Sequence, residues 1–185
     1  EKKNDTEYIA YLDKTQKDIG EKINKLWWED DRFNRGFKET GELIGSKKDP
    51  EASMWLNPQT WSVISGLATR EQADKAMASV DRELNTAYGA KIMAPSYVDH
   101  YFDGALAGLF PTKENGGIFS QTQGWLILAE ALLGNGNEAF KYFEESSPSS
   151  QNDKAEVRKL EPYVHGQYTE GDESPFHGRS HVHWL

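Results

Sequence analysis

The sequence contains no cysteine, no long apolar run and no excess of positive charge. The lack of cysteine excludes disulfides, thiolate catalysis and cysteine-ligated zinc or iron–sulfur sites. No apolar stretch approaches the roughly 20 residues that span a bilayer, and residues 1–5 lack the apolar core of a signal peptide. These absences predict a soluble protein, and the missing cysteine suits the cytoplasm.

Acidic residues outnumber basic ones, with 30 Asp and Glu against 21 Lys and Arg and a net charge of -9. Such a charge repels phosphate backbones and anionic lipid surfaces. We therefore expect neither nucleic acid nor a membrane as a partner. At 185 residues the chain can bury the core of one ordinary domain.

Aromatic residues make up 12% of the chain, including six tryptophans, although the mean hydropathy is -0.77. Sugar rings pack their C–H faces on aromatic planes while their hydroxyls need polar partners, so this mixture suits carbohydrate binding. Aromatic residues also fill protein cores. Trp61 and Trp125 lie at helical positions, where we expect core packing rather than sugar platforms.

Apolar residues at helical spacing predict about five helices. Residues 5–28 have an amphipathic pattern, and Thr69 to Gln72 form a capping box before a helix that would continue to Gly89. The segment from Ser120 to Leu133 is apolar nearly all round, which is typical of a helix enclosed by others.

Two more helices are predicted from their caps. Asn57 would cap one of them, with Pro58 at its first position and Trp61 on its buried face. Asn137 would cap the other, whose aromatic residues Phe140, Tyr142 and Phe143 would point inward. Short helices alternating with irregular loops favour an all-α toroid, in which an outer ring wraps an inner one. Residues 32–37 alternate polar and apolar side chains and predict a short hairpin.

The segment Lys113–Phe119 carries the clearest functional signal. It places Lys113 and Glu114 before an Asn-Gly-Gly run, and an apolar helix follows. Such a run adopts backbone angles closed to other residues, so the turn can aim the charged pair into a cleft. The carboxylate accepts and the ammonium donates hydrogen bonds, which suits a ligand rich in hydroxyls. An exposed surface ion pair is the alternative.

This segment, together with Leu56–Trp61 and Glu161–Val164, resembles the cellobiose and chitobiose phosphorylases of glycoside hydrolase family 94. The resemblance extends from about Trp28 to Leu185. It implies a catalytic (α/α)6 barrel of twelve helices, of which about five would lie here. We therefore expect residues 1–185 to form part of such a toroid, all-α with short β-hairpins in its loops. The remainder of its own catalytic domain would be its partner, and a homodimer stays open.

The resemblance also implies a reaction, inverting phosphorolysis. Inorganic phosphate would be the co-substrate and would attack the anomeric carbon of a β-linked disaccharide, while an aspartic acid protonates the leaving oxygen. That aspartate is expected upstream, so no catalytic residue is expected in this chain and the isolated fragment should be inactive. Cellobiose and N,N'-diacetylchitobiose are the leading substrates, and no cofactor is expected.

Three residues are carried over from the family, and a fourth position departs from it. Lys113 and Glu114 match its sugar-contacting pair, and Gln167 matches its glutamine at the cleaved sugar. Gln121 stands where many relatives place a histidine that contacts phosphate, and an amide cannot carry that positive charge. Gln121 could still donate to an anion near the helix start, or simply face solvent.

The remaining polar clusters give weaker signals. His181 and His183 would point to one side of a strand, but without a third ligand we expect no metal site. Asp99, His100 and Asp103 form a short acidic cluster of the kind that is usually solvated. Two alternative functions stay open at this point: a glycoside hydrolase or lyase on a similar toroid, and a noncatalytic carbohydrate-binding module.

Overall fold

The computed structural model describes residues 5–99 and 110–182. Its helices, in chain order, are α1 Thr6–Leu26, α2 Leu56–Ile64, α3 Arg70–Glu83, α4 Ser120–Leu132, α5 Gly136–Ser146 and the single turn α6 Ala155–Arg158. A 3₁₀ helix, Pro148–Lys154, connects α5 to α6.

Short strands pair between the helices. They are β1 Trp28–Glu29, β2 Arg32–Phe33, β3 Gly36–Phe37, β4 Leu43–Ile44, β5 Met54–Trp55, β6 Asn85–Thr86, β7 Gly89–Ala90, β8 Met93–Ala94, β9 Ile118–Phe119, β10 Tyr168–Thr169 and β11 Ser180–His181. In the described residues they form five antiparallel sheets, of which β9–β10–β11 has three strands.

The described residues are therefore helical with several small antiparallel sheets, and the sheets do not show an all-α chain. The sheets also include more than local hairpins, since β5 pairs with β8 and β9 pairs with β10 across long stretches of sequence. Long irregular connections must satisfy their backbone N–H and C=O groups, and pairing two residues at a time achieves this. The (α/α)6 arrangement stays a prediction.

The core lies between α2, α3, α4 and α5, with α4 packed against both α2 and α5. Its largest fully buried members are apolar, together with one tyrosine: Met54, Leu56, Val80, Leu84, Leu126 and Tyr142. Residues of β5, β7 and β8 also belong to this core. It therefore fixes the connections that lead to the small sheets.

Two buried glutamines attach loops to this core. On α2, the Gln59 amide accepts from the N–H of Phe33 and donates to its C=O, both at 2.8 Å. On α4, the Gln123 amide makes the same pair of bonds with Ala90, at 2.8 and 2.9 Å. Each amide takes the place of a neighbouring strand, so the helices position the hairpins through polar contacts inside the core.

The capping box at α3 is confirmed. The Thr69 side chain accepts from the N–H of Gln72, and the Gln72 side chain accepts from the N–H of Thr69. The helix nevertheless ends at Glu83 rather than near Gly89. The hairpin β6–β7 takes up the residues in between, and its first strand begins directly after Leu84.

Two other helix predictions were wrong in detail. Helix α2 begins at Leu56 with Trp55 as its cap, so Asn57 lies in the first turn, and Trp61 is 47% exposed. Helix α5 packs through Ala139 and Tyr142, which buries one face only. Its other aromatics, Phe140 and Phe143, are more than half exposed.

Helix α1 has the amphipathic pattern expected of it, yet none of its residues is buried. Together with α2 it lines a groove of about 880 Å³, in which Ile19 and Ile23 face Trp61 and Leu67. Among the described residues, no helix is both long and apolar enough to cross a bilayer.

A charged cluster ties β2 to α3. The guanidinium of Arg32, whose side chain is 4% exposed, makes two hydrogen bonds of 2.6 and 2.7 Å to the Glu83 carboxylate. Arg32 also contacts Asp31 at 2.9 Å, and Asp31 accepts from the Ser79 hydroxyl at 3.0 Å. A buried guanidinium needs such partners, so the cluster fixes this corner of the fold.

Candidate functional site

The predicted charged pair lies in a tight turn. Lys113 has a φ of +52° and Gly116 one of +89°, and the Gly117 N–H donates to the Lys113 C=O at 2.8 Å. The Asn115 side chain is buried and accepts from the Tyr97 N–H at 2.7 Å while donating to the Tyr97 C=O at 2.8 Å. Asn115 therefore does more than permit the turn, since it fastens the turn to the segment after β8.

The turn leads directly into the three-stranded sheet. Residues of β9 pair with β10, which places Phe119 opposite Tyr168 and Ile118 opposite Thr169. Gln167, just before β10, accepts from the Ser120 N–H at 3.1 Å and donates its own N–H to the His181 C=O at 2.7 Å. The sheet thus brings the turn of Lys113 and Glu114 and the strand of Gln167 to one place.

Glu114 and Gln167 share a chemical feature. Both are half-buried, and Oε2 of Glu114 and Oε1 of Gln167 lie out of contact with water without a hydrogen-bond donor in the described part of the chain. An unsatisfied buried acceptor costs about 1–3 kcal/mol. Such atoms in a folded protein call for an explanation, and a ligand that donates hydrogen bonds is one.

A polar wall that sequence reasoning missed lies beside them. The ring of Tyr168 stacks on His181, with centroids 4.6 Å apart. Nε2 of His181 lies 3.0 Å from Oε1 of Glu170, and that same oxygen accepts from the Thr112 hydroxyl at 2.8 Å. Thr112 directly precedes the charged pair, so this wall joins β10 and β11 to the turn.

The electrostatics of the wall link it to Glu114. Burial raises the pKa of the Tyr168 phenol; a hydrogen bond with Thr112 opposes that shift, while the negative charges of Glu170 and Glu114 reinforce it. The phenol is therefore neutral at physiological pH. The alternation of Tyr168 and Glu170 after Gln167 was the one signal in the sequence that could have indicated this wall.

Gln121 lies in the first turn of α4, with its side chain exposed. The cap residue Phe119 makes no side-chain cap hydrogen bond. The neighbouring Ser120 hydroxyl instead donates to the Gly166 C=O at 2.7 Å. The helix start therefore lies against the segment that carries Gln167, with Gln121 free to reach outward.

The histidine cluster is divided by the fold. His177 packs edge-on against Tyr88, with centroids 5.1 Å apart, while His181 stacks on Tyr168 and His165 is exposed. Within residues 5–99 and 110–182, no three His, Asp or Glu side chains group as metal ligands. His183, His100 and Asp103 lie outside the described residues.

The groove between α1 and α2 is a different place from this cluster. Its lining comes from α1, α2 and the loops that flank α2, and includes none of Lys113, Glu114 and Gln167. Size alone would favour the groove as a ligand site. Among the described residues the groove contains one buried acceptor without a donor, on Asn57, whereas three such oxygens, on Glu114, Gln167 and Glu170, lie at the small sheet and its turn. Because the unsatisfied acceptors are concentrated there, we take that sheet as the candidate site.

Glu114, on the glycine turn, and Gln167, just before β10, each carry a buried oxygen without a donor. A carboxylate and an amide of this kind can accept hydrogen bonds from hydroxyl groups. Residues 1–185 match the family model described as "Glycosyl hydrolase 94 superfamily, catalytic domain". The chain belongs to this superfamily, which confirms the resemblance stated from the sequence.

The chain is similar to several curated phosphorylases. It is 36% identical over 162 residues to an N,N'-diacetylchitobiose phosphorylase of Vibrio proteolyticus, covering 85% of this chain and 20% of that protein. It is 32% identical over 169 residues to a solabiose phosphorylase of Paenibacillus borealis, covering 90% and 22%. A cellobionic acid phosphorylase of Neurospora crassa is 42% identical over 74 residues, covering 40% and 9%. The chain spans about a fifth of the length of the first two relatives.

Proposed function

We propose that this chain is part of an inverting disaccharide phosphorylase, which cleaves a β-linked disaccharide with inorganic phosphate to give an α-sugar-1-phosphate and a shorter sugar. The observation that carries the proposal is the pair of buried, unsatisfied oxygens on Glu114 and Gln167. They lie at one small sheet of a glycosyl hydrolase 94 catalytic domain. The names of the relatives support the same reaction class.

In the proposed reaction an oxygen of phosphate forms the new bond to the anomeric carbon as the glycosidic C–O bond breaks. The proton that the leaving oxygen needs comes from an aspartic acid outside this chain. Phosphate is already an anion, so it needs donors to place it rather than a base to activate it. The start of α4 supplies N–H groups there, and Gln121 adds an amide.

The remaining side chains bind the sugar. Glu114 accepts hydrogen bonds from sugar hydroxyls, Gln167 accepts and donates through its amide, and Lys113 donates towards the sugar on the acceptor side. No cofactor is part of this proposal. The relatives differ in substrate, so the disaccharide itself is left as a choice for experiment.

We further propose that the rest of an (α/α)6 catalytic domain packs on the exposed apolar surface of this chain. The residues that would be covered lie on α4 and α5 and are each at least 45% exposed: Leu128, Leu132, Phe140 and Phe143. Burying such a patch is favourable by about 25 cal/mol per Å². The alternative is a homodimer, in which a second copy of the chain covers the same face. We also propose that the protein is located in the cytoplasm.

The test uses the complete reading frame that contains this chain, with phosphate and each of several β-linked disaccharides. We expect sugar-1-phosphate to form. Glu114→Gln should lower kcat/KM up to about 100-fold, because a hydrogen bond to a charged group is worth about 1.5–3 kcal/mol, and Gln167→Ala up to about tenfold, because a neutral hydrogen bond is worth about 0.5–1.5 kcal/mol. The matched control is Glu144→Gln, an exposed carboxylate on α5. Cleavage without phosphate would indicate a hydrolase or lyase instead, and binding without cleavage a binding module.

The role of Gln121 is tested separately. Replacement by histidine should lower the KM for phosphate about tenfold below neutral pH, because the imidazolium adds a charge-assisted hydrogen bond. A KM for phosphate that does not change with Gln121→His would mean that this side chain only faces solvent. Sugar-1-phosphate release by the isolated 185-residue chain would refute the assignment of the general acid to another segment.

A further inference from the structure

Lys91 is a buried cation that the proposed reaction does not use. It follows β7 and is 4% exposed, and its Nζ lies 2.7 Å from Oδ1 of Asp172 and 3.6 Å from Oε1 of Glu173. Both acids belong to the loop after β10. A buried ammonium is stable only when paired, so this loop is held against Lys91.

The same loop is joined to the residues that follow Lys91. Oε2 of Glu173 accepts from the Ser96 N–H at 2.6 Å. The Ser96 hydroxyl in turn donates to the Asn115 C=O at 3.3 Å, inside the turn of the charged pair. The Ile92 N–H also donates to the Gly117 C=O at 2.8 Å. Residues 91–96 are therefore bonded to the loop after β10 on one side and to the turn on the other.

Two glycines let these pieces touch. A Cβ at Gly171 would overlap the backbone oxygen of Gly116 and come within 3.1 Å of the Lys91 side chain. A Cβ at Gly116 would overlap the Ser96 hydroxyl. The loop after β10 and the turn thus meet backbone to backbone, directly beside the ion pair.

We propose that Lys91, with Asp172 and Glu173, is a positioning clamp that fixes the turn of Lys113 and Glu114 relative to β10 and hence to Gln167. This inference rests on the proposed function for its catalytic meaning. Lys91 is a positioning residue, since its contacts are with the loop and its effect reaches Glu114 through Gly171 and Gly116. Without the clamp the turn is still joined to β10 through β9 and the hydrogen bond between Thr112 and Glu170, but its position is less constrained, and the two sugar-binding oxygens lose their fixed separation.

The first test reads the turn itself by hydrogen exchange and needs no ligand. In Lys91→Met, we expect the Gly117 amide, which bonds to the Lys113 C=O, to exchange at least about tenfold faster than in the unaltered protein. Lys91→Arg keeps the charge and should restore most of the protection. The matched control is Glu83→Gln, which weakens a separate ion pair, with the buried Arg32, and should leave the Gly117 amide unchanged.

Two outcomes would overturn the clamp: equal exchange at Gly117 in Lys91→Met and the unaltered protein, or equal acceleration in Glu83→Gln. Should Lys91→Met fail to fold, Asp172→Asn takes its place, because this exposed partner can be neutralised while Glu173 still pairs the amine. Because Glu173 keeps part of the clamp, the acceleration at Gly117 should be smaller in this variant than in Lys91→Met, and equal exchange in Asp172→Asn and the unaltered protein would overturn the clamp.

The second test uses phosphorolysis by the complete protein. We expect Lys91→Met to lower kcat about tenfold with little change in the KM for phosphate, and Lys91→Arg to recover kcat. A merely structural role predicts that Glu83→Gln, at equal loss of thermal stability, lowers kcat as much, and that result would refute positioning. If the unaltered protein shows no phosphorolysis, the proposed function fails, while the hydrogen-exchange result still decides whether the clamp exists.

Discussion

Replacing Gly116 with alanine should destabilise the protein for two separable reasons. The residue has a φ of +89°, and the left-handed region costs a residue with a Cβ about 1–2 kcal/mol. The new methyl group would also overlap the Ser96 hydroxyl. Relieving that overlap by moving Ser96 loses its hydrogen bond to Asn115, and overpacking typically costs about 1–3 kcal/mol.

The two terms sum to about 2–5 kcal/mol, which chemical unfolding measures directly. A Ser96→Gly background removes the overlap but leaves the backbone strain, so there the cost of Gly116→Ala should fall to about 1–2 kcal/mol. The matched control is Gly124→Ala. Gly124 lies in α4, and a Cβ there meets nothing within 4 Å, so alanine should be neutral or stabilising by up to about 1 kcal/mol.

Two results would refute this reasoning. One is a denaturation midpoint of Gly116→Ala equal to that of the unaltered protein. The other is an equal cost of Gly116→Ala with and without the Ser96→Gly change, because then the hydroxyl does not limit the turn. In the complete protein the same substitution should lower kcat/KM of the proposed phosphorolysis, since it displaces the residues on either side of Gly116.

Three further predictions concern stability. Thr69→Ala should cost about 1 kcal/mol by chemical unfolding, because it removes the cap of α3, and no change would mean that the capping box is dispensable. Leu126→Ala should cost about 2–5 kcal/mol, because Leu126 is fully buried on α4; a loss below about 1 kcal/mol would contradict the assigned core. Burial alone would raise the pKa of Asp31, but hydrogen bonds from Arg32 and Ser79 outweigh it and hold that pKa well below its usual range. A depressed folded pKa stabilises the protein above the unfolded value near 3.8 and loses that contribution as the pH falls further. Asp31→Asn should therefore flatten the acid limb of the unfolding free energy below about pH 4, and an unchanged limb would contradict the assignment.

Local signals in the sequence predicted local structure well. The reciprocal hydrogen bonds of Thr69 and Gln72 span three residues, so the pair identifies the start of α3 without knowledge of the fold. Helix α4 begins at Ser120 as expected, and Gly134, with a φ of +79°, follows its end. The family resemblance, carried by short motifs, is confirmed as well.

The predictions that failed concern contacts between residues that lie far apart in the sequence. Phe140 and Phe143 looked like core residues by type, but α5 faces α4 through Ala139 and Tyr142. The pairing of β9 with β10 has no local signal, since two-residue strands lack a readable alternation. The sequence gives no local signal for Lys91 either, because its importance comes from contacts with Asp172 and Glu173, about 80 residues away.

The hydrogen bond between the Ser120 N–H and the Gln167 C=O closes a long excursion of the chain at its base. The segment that contains α4, α5 and α6 begins and ends at this hydrogen bond. Its two ends are therefore held beside each other, whatever the length of the connections between its helices. We therefore expect relatives to differ in the length and sequence of the connection between α5 and β10 while the pairing of β9 with β10 is kept. The entropic cost of closing a longer loop grows only slowly with its length, so insertions between members of this superfamily are expected in this region.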